Sequence, residues 1–86
     1  MYEKNVTVQN EIGLHARPAS LFIQEAIKYS SQIEVIKEEK VYNGKSIMSV
    51  LSMSAGKGQE ITIRAEGEDE VEAVEALVDL VLNKLN

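Results

Sequence analysis

The sequence predicts an α+β two-layer domain over residues 1–86, a sheet carrying helices. Three observations predict it. Glu60–Glu66 sets Ile61, Ile63 and Ala65 against Glu60, Thr62, Arg64 and Glu66, the period of a half-buried strand. Two stretches repeat apolar residues at helical spacing: Ala19, Phe22, Ile23, Ala26 and Ile27, and later Val71, Val74, Val78, Val81, Leu82 and Leu85. The elements run strand, helix, strand, strand, helix, strand, helix, and few strands with segregated helices imply this class.

Tyr2–Gln9 reads as the first strand, with Val6 and Val8 on one face and Thr7 on the other. Asn10–Gly13 is a loop. The first helix is expected from about Ala16 to Tyr29, with Ser20, Gln24 and Lys28 on its polar side. Its start has two readings. Pro18 is tolerated in a first helical turn, where its missing N–H would be unpaired anyway, so His15 can stand at the helix N-terminus. The residue before a proline avoids helical angles, so Arg17 can instead be the cap, with His15 left in the loop. The residues alone leave both open.

Gln32–Lys37 is the second strand, with Ile33 and Val35 alternating with Glu34. Glu38-Glu39 separates it from a third strand, Lys40–Asn43. A two-residue hairpin needs positive φ angles that favour Asn-Gly, and adjacent like charges suit it badly. A looser or strained connection is expected. Asn43-Gly44 marks a turn. Ser46 then stands at an N-cap position before a short apolar helix with Ile47, Met48, Val50, Leu51 and Met53. A plain cap and a plain core account for these letters. Yet five large apolar residues among seven exceed one helical face, so some are expected at the surface, as a docking patch. Methionine suits a surface that meets several partners.

Gly56-Lys57-Gly58 is a turn, and Gly67 ends the last strand. Asp69 is expected to cap the final helix, which runs to about Lys84. Glu70 and Glu72 lie in its first turn, where the helix dipole favours acids. Glu68, Glu72, Glu75 and Asp79 form its solvated face.

Composition excludes several classes. The net charge is −5, which argues against nucleic acid. The excess is uneven: residues 1–45 carry six Lys/Arg and six Asp/Glu, residues 46–86 three and eight. No apolar run approaches membrane-spanning length, and no signal peptide opens the chain. Zero cysteines exclude a disulfide framework and fit a cytoplasmic protein.

The only histidine and the only proline of the chain fall in Gly13-Leu14-His15-Ala16-Arg17-Pro18-Ala19-Ser20. Free N–H groups and the dipole at a helix start make an anion site. Arg17 adds a planar, permanently charged donor fork suited to phosphate. An imidazole attacks phosphorus only through an unprotonated nitrogen, and the positive end of a helix disfavours a second positive charge. Once phosphorylated, the ring carries an anionic group that the same field favours. A phosphoryl carrier needs this pairing. The plainer reading is a surface or capping histidine. No metal or cofactor is expected, because His15 has no second histidine and no cysteine to share an ion. A hydrolase is not expected, since nothing marks a nucleophile paired with this base.

His15-Ala16-Arg17-Pro18-Ala19 resembles the active-site signature of the HPr family, the histidine-containing phosphocarriers of the bacterial phosphoenolpyruvate–sugar phosphotransferase system. Lys45-Ser46-Ile47-Met48 is similar to the family's regulatory serine region, at the expected separation. The resemblance spans essentially the whole chain. It implies an open-faced β-sandwich, βαββαβα, with a four-stranded antiparallel sheet in order 1-4-2-3 and three helices on one face. It implies a stoichiometric carrier rather than an enzyme. His15 would take a phosphoryl group from enzyme I and pass it to enzyme IIA domains, with Ala16, Arg17 and Pro18 forming its site. Ser46 would be phosphorylated by a serine kinase/phosphorylase and read by a transcriptional regulator. Ser20, Ile47, Met48 and Leu51 would contact partners, and a monomer is expected. Three positions depart from the family pattern. Ile12 replaces a small polar residue near the histidine, and Ser49 and Ser54 replace glycines. Two other readings stand beside the carrier: a regulatory protein of the same fold acting through phospho-Ser46, and a carrier of a nitrogen-regulatory relay. Lys45-Ser46-Ile47-Met48 favours the sugar system over the latter.

Overall fold

The computed structural model describes residues 1–85. Seven elements follow in the expected order: β1 (Tyr2–Thr7), α1 (Ala16–Ala26), β2 (Gln32–Lys37), β3 (Lys40–Asn43), α2 (Ile47–Met53), β4 (Glu60–Glu66) and α3 (Glu70–Asn83). The strands form one antiparallel sheet in the order β1-β4-β2-β3, as the family resemblance implies.

Alternation along the strands divides the sheet into two faces. Val6 lies opposite Ile61, Val35 opposite Ile63, and Ile33 opposite Ala65. All six are buried. Phe22, Val50, Met53, Val74 and Leu77 from the three helices join them in one core. Burial of this kind dominates stability: truncating the fully buried Phe22 to alanine would cost about 3–5 kcal/mol. The opposite face is polar. Arg64 donates from Nε and Nη2 to Glu34 Oε1 at 3.0 and 2.7 Å, and Glu3 stands 4.0 Å away on its other side. A one-residue slip would bring this charged row into the core.

Three boundaries or faces differ from expectation. β1 ends at Thr7 rather than Gln9, although Val8 still donates to Gln59 O and accepts from Gly58 N. α1 ends at Ala26 rather than Tyr29. Beyond it the chain tightens, with Lys28 N donating to Glu25 O and Tyr29 N to Ala26 O, the i→i+3 pattern common at helix ends. The buried face of α3 is Ala73, Val74, Leu77, Leu80 and Val81, while Val71 and Leu82 are exposed. It lies about a quarter turn from the valine-rich stripe. Glu72, Glu75 and Asp79 are exposed and mark the core face by opposition better than the valines mark it directly. Asp69 is the N-cap of α3, as expected, its carbonyl accepting from Ala73 N at 2.9 Å, but its side chain makes no cap bond. Its carboxylate accepts from Ser30 N, Ser31 N and Ser31 Oγ and so ties the α1–β2 connection to the start of α3.

The connection after β2 is strained but not loose. Lys37 pairs with Lys40, leaving Glu38 and Glu39 as a two-residue turn at φ 51° and 70°. Replacing Glu38-Glu39 with Asn-Gly is expected to raise stability by about 1–2 kcal/mol, read from the urea unfolding midpoint. The Ser31 hydroxyl, followed by the Ser30 amide, holds the Asp69 carboxyl down to about 2 from its ordinary 3.8. The folded state therefore favours the carboxylate. Its contribution is whole above about pH 4 and disappears as pH falls through about 2. Asp69→Asn is expected to lower the thermal midpoint at neutral pH and to flatten its fall over that window, measured by thermal melts across pH.

Candidate functional site

The site is set by the loop before α1. Asn10 is buried and its Nδ2 donates to Gly13 O at 2.5 Å. Gly13 N donates back to Asn10 O at 3.1 Å, and Leu14 N donates to Ala55 O at 2.8 Å. Gly13 has φ +70°, and a Cβ there would overlap the Ala55 carbonyl oxygen and lie 2.7 Å from Gly56 Cα. Only glycine fits that approach. Leu14 is driven into the core, which turns the next residue outward.

That residue is His15. Its backbone is extended, at φ −94° and ψ −164°, and its carbonyl accepts from Ala19 N at 2.7 Å. It is therefore the N-cap of α1, and the two readings of the helix start resolve to Ala16. Pro18 is buried in the first turn. Arg17 lies within the helix although it precedes a proline. The His15 side chain is exposed and makes no cap bond. Pro18 has no N–H, and the Ala16 and Arg17 N–H groups precede the first helical bond. An exposed ring thus stands beside two unspent amides at the positive end of a helix.

Two depressions lie at this end of the molecule, both lined by Ile12, and His15 lines one of them. One, of about 250 Å³, is lined by Ile12, Leu14, His15, Ser54, Ala55 and Gly56. The other, of about 370 Å³, is lined by Ile12, Arg17, Pro18, Leu21, Lys84 and Leu85. Ile12 divides them. Arg17 is exposed and makes no ion pair among the described residues. No described carboxylate lines either depression; Arg17 and Lys84 line the second, while the one that His15 lines holds neither Arg nor Lys. A further depression, about 480 Å³, lies by β2 and β3 and holds none of the site residues expected from sequence. Among the described residues, no three His, Cys, Asp or Glu gather where they could hold a metal ion.

The second expected site is separate. Ser46 is half-buried and caps α2, its Oγ accepting from Ser49 N at 3.3 Å. α2 lies between Ser46 and Ser54, so Ser46 stands about 12 Å along the helix from the His15 depression. Ile47 and Met48 are 38% and 74% exposed, while Leu51 packs partly against the core. Ile47, Leu51 and Ser54 follow at steps of four and three, one helix face leading toward His15. Ser20 is half-buried, and its Oγ accepts from Gln24 Nε2 at 3.4 Å. Sequence reasoning did not find the wall formed by Ser54, Ala55 and Gly56. These residues lie some forty positions from His15, and Gly56 reads locally as an ordinary turn.

The chain matches the family model described as "PTS HPr component phosphorylation site" over residues 2–83. It is 44% identical over 84 residues to the phosphocarrier protein HPr of Treponema pallidum, covering 98% of this chain and 96% of that one. It is 48% identical over 81 residues to the HPr-like protein Crh of Halalkalibacterium halodurans, covering 94% and 96%. The crystal structure of HPr-C-His from Thermoanaerobacter tengcongensis superposes with a TM-score of 0.95 at 49% identity, covering 99% and 96%. An HPr dimer from the same organism matches with a TM-score of 0.79 at 49% identity, covering 100% and 99%. The chain belongs to the HPr family of phosphocarrier proteins of the phosphotransferase system. Among the described residues no helix is long and apolar enough to cross a membrane.

Gly13→Ala tests the anchoring of the site. The overlap at Ala55 and the positive φ are expected to cost about 2 kcal/mol or more. Chemical-shift mapping is expected to show displacement of both the His15 loop and the Ser54–Gly56 wall.

Proposed function

We propose that this chain relays a phosphoryl group through His15, from a phosphohistidine of enzyme I to enzyme IIA domains of sugar permeases. The observation that carries the reading is the exposed His15 at the N-cap of α1, beside the unspent Ala16 and Arg17 amides. An unprotonated ring nitrogen of His15 attacks phosphorus. The P–N bond to the donor imidazole breaks as the new one forms, and the donor nitrogen keeps the electron pair. The phosphoryl oxygens are held by the two amides and by Arg17, whose guanidinium suits them geometrically and electrically. Pro18 contributes rigidity from its buried place in the first turn. The partners' own sites complete the chemistry, so the protein acts as a stoichiometric carrier, and as a monomer, in the cytoplasm.

Ile47, Met48 and Leu51, with Ser20, form the docking patch. Ser46 is the site of a serine kinase/phosphorylase, and its phosphorylated form is read by a transcriptional regulator. A phosphate at a helix N-terminus is electrostatically tolerated. Its effect is therefore on docking at the adjacent Ile47 and Met48 rather than on the integrity of α2.

The 48% identity to the HPr-like protein Crh favours a second reading, a regulatory protein acting through Ser46 alone. Substitution separates the two. His15→Ala is expected to abolish phosphoryl acceptance from enzyme I, assayed with phosphoenolpyruvate. Ser46→Ala is expected to leave that transfer intact and to remove modification by a serine kinase. Acceptance by the His15→Ala protein would contradict the site assignment.

A further inference from the structure

Among the described residues, three non-glycine residues have a left-handed backbone: Glu38, Glu39 and Ser54. The first two are explained by their hairpin. Ser54 is not. It is the C-cap of α2 at φ 53° and ψ 41°, a position where glycine is the default because a Cβ is unfavourable there. The conformation is held from outside, since Lys37 Nζ donates to Met53 O at 3.0 Å and to Ser54 O at 3.3 Å. A side chain is therefore kept at a position that disfavours one.

Ser54 is one of the residues lining the His15 depression. Ile12, Leu14, Ala55 and Gly56 complete its lining, and none of them has a side-chain hydrogen-bond donor. Besides the imidazole, the Ser54 hydroxyl is the one side-chain donor in this lining. Ser54 is exposed. Its amide donates to Leu51 O at 3.2 Å and its carbonyl accepts from Lys37, so both backbone polar groups are spent while the hydroxyl remains for a ligand.

We propose that Ser54 is a phosphoryl-binding residue of the relay, its hydroxyl donating to an oxygen of the phosphoryl group on His15. The inference rests on the carrier reading and adds a donor from α2 to those from α1. No bond to phosphorus is made or broken at Ser54. The hydrogen bond exists only in the phosphorylated protein, so it stabilises that state over the free one and lowers the tendency to give the group away.

The test is the equilibrium of phosphoryl exchange with a reference HPr of different mass, mediated by bacterial enzyme I and limiting phosphoenolpyruvate, and read by intact mass. Ser54→Ala keeps the left-handed position occupied by a Cβ and removes the hydroxyl. Ser54→Gly removes both. Both are expected to shift the equilibrium toward the reference protein by roughly three- to tenfold, the scale of one hydrogen bond. Their thermal midpoints are expected to diverge, with Ser54→Gly rising above the wild type, so stability and phosphoryl affinity move in opposite directions. Adding Ile12→Ser to Ser54→Gly returns a hydroxyl to the same depression and is expected to recover much of the shift. If all carriers accept phosphoryl and both Ser54 variants hold it as well as the wild type, the Ser54 role is wrong and the carrier reading stands. Failure of the wild type to accept phosphoryl, while the reference does, overturns both.

Discussion

The site depends on one junction, the hydrogen bond from Leu14 N–H to the Ala55 carbonyl, made possible by a glycine at position 13. It joins the loop entering α1 to the segment leaving α2 across some forty residues of sequence. Leu14 is buried on one side of the junction, and Pro18, Ala19 and Phe22 are buried on the other. His15 lies between these anchors and is the first residue free to face solvent. Its exposure follows from what its neighbours bury. The same junction brings Ser54 into the lining of the depression that His15 occupies.

The electrostatics follow from the arrangement of elements. The chain carries a net charge of −5, yet no described carboxylate lines the depressions around His15 and Arg17. Glu72, Glu75 and Asp79 lie on the exposed side of α3, opposite its core face. An overall acidic protein can therefore present a locally anion-friendly end. In the proposed relay, α2 is used at both ends. Its C-terminus borders the phosphoryl position and its N-terminus carries Ser46, with the exposed Ile47 and Met48 following. Modification at Ser46 can then bias docking from a helix length away without touching the reacting ring.

Much of this fold was legible in the residues. The alternation of Glu60–Glu66 marks β4 to the residue, and Ser46 marks the start of α2 because its hydroxyl is the natural partner of a free helical amide. The start of α1 was not legible, since Pro18 argues for both of the possible caps. Packing decided it by burying Pro18 and placing the first helical bond at His15. The face of α3 was misread because the helix is apolar around much of its circumference, and which part meets the sheet is a tertiary matter. Asp69 stands at the cap position the residues indicate, but its carboxylate is taken by a pair of serines from another connection rather than by the helix. Within the candidate site, His15 and Arg17 are visible as a local motif. Ser54 and the wall beside it are not, because no local pattern announces a contact made through a loop junction.

The account is tested most directly by intact-mass analysis of the wild-type protein after incubation with phosphoenolpyruvate and a bacterial enzyme I, repeated after brief acid treatment. The account predicts a gain of one phosphoryl group that acid removes, the behaviour of a phosphohistidine, and with a single histidine in the chain that group can only be on His15. No gain, with a known HPr accepting phosphoryl in the same tube, would contradict it.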